Sequence, residues 1–132
     1  MRTKINLGIW LDHSNAHLIE INSKMDNHSI KSKFYSGIKV DALRRSEGIM
    51  RKKELQMHEA YYKKIGKVIL NYDHILLFGH TDARIELHSY LRRDLNFEDI
   101  IIDTVTADSM TNKEQHVFVD NHFLDFINNG PL

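Results

Sequence analysis

Four consecutive apolar residues, Ile75-Leu76-Leu77-Phe78, run into Gly79 and then Thr81 and Asp82, and this constrains the fold more than any other feature of the 132-residue chain. So short an uninterrupted apolar run suits a strand buried on both faces, which is the condition of parallel strands covered by helices. Thr81 or Asp82 stands where a helix N-cap is needed, and the helix it opens turns Ala83, Leu87 and Leu91 to one side. The unit then recurs. Residues 99–105 read as a second such strand, and Thr111-Asn112-Lys113-Glu114 is a capping box that starts a helix carrying Val119, Phe123, Phe126 and Ile127 on one face, stopped by Gly130-Pro131.

The first half follows a different pattern. Residues 4–11 and 16–21 are strand-like runs around Asp12-His13-Ser14-Asn15, a cluster of turn formers, and together predict a β-hairpin. Residues 29–35 alternate in a mostly polar way, with lysines suited to an edge strand. Residues 37–47 are polar, end at Gly48, and predict a mobile loop. Met50, Met57, Tyr61, Ile65, Val68, Ile69 and Tyr72 then mark one face of a long helix ending near Asn71.

The expected order is βββαβαβα. It describes an α/β fold with a mixed sheet of about five strands, three of them antiparallel and led by residues 5–22, and at least three helices packed on it. This order resembles that of ribonuclease H-like three-layer domains, and residues 1–132 fit one domain.

No apolar run approaches the roughly 20 residues of a membrane helix. The first residues pass straight into strand-like sequence without a signal-peptide core, and the chain has no cysteine, so a cytoplasmic setting is expected, with no membrane partner. The formal net charge is zero, but residues 24–67 hold twelve of the 18 Lys and Arg against five acids, a surplus of +7 balanced by −7 elsewhere. A concentrated basic stretch attracts polyanions whatever the overall charge; the plainer alternative is a solvated helix face.

Two segments carry a family likeness. Gly8-Ile9-Trp10-Leu11-Asp12-His13-Ser14-Asn15-Ala16 resembles a Trp-x-Asp-His hairpin, and Met110-Thr111-Asn112-Lys113-Glu114-Gln115 with Phe123 resembles a closing Thr-Asp-x-Gln helix. Both look like the short bacterial proteins labelled translational machinery proteins. Between them, residues 61–70 and 76–87 are similar to the central domain of class-1 peptide-chain release factors and of Pelota. In release factors a Gly-Gly-Gln tripeptide precedes the long helix and enters the peptidyl-transferase centre. Here the corresponding stretch reads Leu43-Arg44-Arg45-Ser46-Glu47-Gly48-Ile49-Met50-Arg51, without that tripeptide. The resemblance therefore implies a translation-associated module without peptide-release chemistry, whose partner is the ribosome or structured RNA rather than DNA.

The expected RNA-binding residues are Arg44, Arg45, Arg51, Lys52 and Lys53, with arginine suited to phosphate by its planar fork and lysine as a point charge. No catalytic residue and no cofactor is expected. The enzymatic alternative is a metal-dependent nuclease or hydrolase using Asp12 with His13, His80 or Asp82, with His116 a further donor among nine histidines. Against it, Gly79-His80 stands where a two-metal nuclease places an acid after the central strand, and His80-Thr81-Asp82 is better explained as a turn feeding a helix N-terminus, a weak anion site. A protein-interaction or oligomerisation module is the remaining alternative. Trp10, between Ile9 and Leu11, is expected to pack rather than to bind a ligand.

Overall fold

The computed structural model describes residues 5–20, 28–31 and 47–129, with side chains placed over 5–20, 29–31 and 58–125. Five strands form one mixed sheet: β1 (Asn6–Leu11), β2 (Asn15–Glu20), β3 (His28–Lys31), β4 (His74–Gly79) and β5 (Ile101–Thr106). Their order across the sheet is β3-β2-β1-β4-β5. β2 runs antiparallel to both β1 and β3, whereas β1, β4 and β5 run parallel, with Gly8 opposite Leu76 and Leu76 opposite Asp103.

Alternation along the strands sorts the core into two layers. Leu7, Ile9, Leu11, Ile75, Leu77 and Ile102 point to one face, where α1 (Glu47–Ile69) contributes Tyr61, Ile65 and Ile69 and α2 (Ala83–Arg92) contributes Ala83, Leu87 and Leu91. Ile19, Leu76 and Phe78 point to the other face, against Val119 and Phe123 of α3 (Asn112–Asn129). β4 is buried along its whole length, as its unbroken apolar run requires.

Two glycines permit this packing. A Cβ at Gly8 would lie 2.3 Å from Val119 Cγ2, so the absent side chain lets α3 settle on β1. Gly79, with φ +156°, closes β4 where a Cβ would come within 2.5 Å of the Leu11 carbonyl oxygen, and its own carbonyl accepts from Ala107 N at 2.9 Å.

The helix starts differ in their capping. The box at α3 forms as its sequence predicts: Thr111 N donates to Glu114 Oε1 at 2.9 Å and Glu114 N donates to Thr111 Oγ1 at 3.2 Å. At α2, Asp82 occupies the N-cap position but its side chain caps nothing; Thr81 Oγ1 instead accepts from Ala83 N at 3.3 Å.

Two sequence expectations need correction. Glu47 and Gly48, read as the end of a loop, begin α1 instead, because Glu is a good helix former and the helix continues unbroken to Ile69. The remainder of that expected loop, 37–46, lies outside the described residues. The last strand spans Ile101–Thr106 rather than 99–105, since a 3₁₀ turn at Leu95–Phe97, capped by the Asp94 side chain, takes up the approach to it.

Candidate functional site

β1, β4 and β5 all end at the same edge of the sheet, and in open α/β sheets ligands sit outside the carboxyl ends of the strands. Asp12 and His13 follow β1 there, and His80, Thr81 and Asp82 follow β4. The structure does not gather these residues into one site. Asp12 Oδ1 accepts from Ser14 N at 2.8 Å and Asn15 N at 2.7 Å, so this carboxylate shapes the hairpin turn. Its backbone carbonyl accepts from the buried Tyr61 hydroxyl at 2.9 Å, which ties the turn to α1. His80 approaches Trp10, ring centroids 6.1 Å apart, and Trp10 also lies 5.2 Å from His17. Trp10 is half-buried against the α3-side core, the packing role expected of it. His116 is half-buried on α3, where its Nε2 has no hydrogen-bond partner among the described residues.

His13 finds a partner from a distant part of the chain. Its Nε2 lies 3.2 Å from both carboxylate oxygens of Glu86, in the first turn of α2. Tyr62 of α1 donates its hydroxyl to Glu86 Oε1 at 2.8 Å, and His58 stacks on His13 with ring centroids 5.4 Å apart. Partial burial works against ionisation of Glu86, but hydrogen bonds from Tyr62 and His13 and the charge of His13 and His58 outweigh it. The carboxyl is thereby held below its ordinary range. The Tyr62 hydroxyl is pushed the other way, by burial first and by its bond to Glu86 second, so it stays a donor. The result is a standing carboxylate flanked by imidazoles, suited to orienting a histidine or receiving a hydrogen-bond donor.

A second polar cluster lies on the α3 face, away from that edge. His74 opens β4, Asp103 sits inside β5 and His122 comes from α3. Asp103 Oδ2 is 2.6 Å from His74 Nε2 and 3.0 Å from His122 Nε2. The His74 side chain is 2% exposed, against 34% for Asp103 and 26% for His122, so the cluster is closed toward the sheet and open toward solvent. Burial again opposes ionisation of Asp103, and the hydrogen bonds and charge of the two imidazoles overcome it, leaving the carboxyl below its ordinary range. Phe123 presents its ring edge-on to both histidines, centroids 5.0 Å from His74 and 5.3 Å from His122, and so fixes their planes.

Of the cations expected to contact RNA, Arg44 and Arg45 lie outside the described residues. Arg51, Lys52 and Lys53 fall within α1, at positions whose side chains are likewise outside them. Farther along α1, Lys63, Lys64 and Lys67 are exposed, and Arg93 just beyond α2 lies over the Tyr90 ring at 5.7 Å. Among the described residues no helix is long and apolar enough to cross a membrane. Compared with models of known protein families and with curated proteins, the sequence matches none.

Proposed function

We propose that the chain is a ribonuclease H-like module, akin to the central domain of class-1 release factors and Pelota, that binds the ribosome or structured RNA without cutting it. Support for the fold assignment comes from the sheet, in which a hairpin-led antiparallel half joins two parallel strands in the order β3-β2-β1-β4-β5.

The observation that carries the binding reading is the lysine run of α1. Lys63, Lys64 and Lys67 are exposed, and Lys52 and Lys53 precede Lys63 and Lys64 by eleven residues, about three helical turns. A single helix thus exposes three lysines in its second half, its sequence carries Arg51, Lys52 and Lys53 in its first half and Arg44-Arg45 shortly before it, and phosphate contacts by such cations supply sequence-independent affinity for nucleic acid.

The nuclease alternative draws less support. Asp12 spends its Oδ1 on two backbone amides, and His13 is engaged by Glu86 rather than by Asp12, His80 or Asp82.

Co-sedimentation with ribosomes at low and moderate salt tests the reading. The protein is expected to pellet with ribosomes at low salt and to shift structured RNA in gels, leaving that RNA intact with added Mg²⁺ or Mn²⁺. A protein that stays in the supernatant at low salt and shifts no RNA overturns it, and RNA cleavage would favour the hydrolase instead.

A further inference from the structure

We infer that His74, Asp103 and His122 form a binding site for one divalent transition-metal ion of the zinc class, which ties α3 to β4 and β5. This goes beyond the proposed function and does not depend on it.

The cluster has the donor chemistry, spacing and access that such an ion requires. Two imidazole nitrogens and one carboxylate oxygen, each from a different element, all lie within 4.8 Å of one another. Two imidazoles with a carboxylate are a donor set found around zinc, where three protein ligands leave a fourth position for water. Bonds of about 2.0–2.2 Å in a tetrahedron place ligand atoms roughly 3.3 Å apart. The observed separations of 2.6 and 3.0 Å to Asp103 Oδ2 are short of that by about 0.7 and 0.3 Å. Asp103 and His122 are the partly exposed members and can yield that distance, while His74, buried in the first position of β4, stays fixed.

Both rings already present the same nitrogen, Nε2, to a common point. A metal there displaces the proton that each Nε2 donates to Asp103, leaving each neutral ring protonated on Nδ1 with any excess proton released to solvent, and takes the two Nε2 lone pairs with Asp103 Oδ2 as the third ligand. The Phe123 ring, packed edge-to-face with both imidazoles, supplies an apolar wall of the kind that limits solvent access around a metal centre. The Asp12 turn, by contrast, has its carboxylate oxygen saturated by backbone amides.

The test uses the full-length protein produced without a histidine tag, stripped with chelator and titrated with ZnCl₂ by calorimetry. One zinc per chain is expected, with a rise in melting temperature on saturation, since a ligand bound only by the folded state stabilises it. Asp103→Asn and His122→Gln, both at partly exposed positions, should each weaken zinc binding by roughly tenfold or more. His88→Gln, on α2, should leave binding unchanged. Absence of saturable binding, or undiminished binding in both cluster variants, overturns the site. Should a variant fail to fold, the ¹⁵N signals of the wild-type imidazoles decide. Zinc-induced shifts at Nε2 of His74 and His122 support the site, and shifts confined to other histidines overturn it.

Discussion

Glu86 is the residue on which the carboxyl-edge cluster turns, because it receives both the Tyr62 hydroxyl and the His13 imidazole. Its folded-state pKa is depressed, so the stability it contributes is present above the unfolded value of about 4.3 and is lost as pH falls through the lower folded value. Glu86→Gln is therefore expected to lower the melting temperature at pH 7 and to converge with wild type in acid; equal differences at pH 7 and at pH 3 would show that the charge contributes nothing. Tyr61→Phe removes the donor to the Asp12 carbonyl from a buried site and is expected to cost about 1 kcal/mol in urea unfolding, the usual net worth of one such bond. Sequence reading at this scale succeeded where a residue's role is local, as in the Asp12 turn and the Thr111–Glu114 box. It missed the partnerships. Glu86 lies 73 residues from His13, and Asp103 lies 29 and 19 residues from His74 and His122. A signal was available in that His74 opens the wholly buried β4, where a polar side chain needs a partner, and Asp103 interrupts the apolar start of β5, although spacing alone does not pair them.

At the scale of elements, the contact between β1 and α3 is set by one pair. Gly8→Ala would drive its Cβ into the Val119 side chain, and overpacking of this kind costs about 1–3 kcal/mol. Val119→Ala leaves a void in the same layer. Because each change relieves the other's defect, the double variant should be less destabilised than the sum of the two single variants, and a strictly additive result in denaturant unfolding would show that α3 shifts freely on the sheet. The strands were legible because burial and turns leave visible marks: an unbroken apolar run for β4, which helices cover on both faces, and two apolar-rich runs around the Asp12–Asn15 turn formers for the hairpin of β1 and β2. Two boundaries were not. Nothing in the apolar pattern separates a polar loop from the polar first turn of α1, and the 3₁₀ turn at Leu95–Phe97 is too short to establish a period of its own.

For the whole molecule, the decisive property is the uneven distribution of charge over a chain whose sum is zero. A neutral protein with dispersed charge has little affinity for a polyanion, whereas residues 24–67 carry +7. If α1 is the RNA-facing element, replacing Arg44, Arg45, Arg51, Lys52 and Lys53 together by Gln should weaken binding to structured RNA. The dependence of log affinity on log salt should also become shallower, by up to about one unit for each phosphate that is no longer neutralised. Adding Lys63, Lys64 and Lys67 to the set should reduce the slope further, because these exposed lysines continue the same helix. The Lys63, Lys64 and Lys67 changes should barely alter thermal stability, since substitutions at exposed positions usually stay within about 0.5 kcal/mol. Filter binding over a salt series measures affinity and slope together, and thermal melts of the same variants measure stability. A variant that keeps the wild-type slope would remove α1 from the interface, and one that melts far below wild type would place the substituted cations in structural ion pairs.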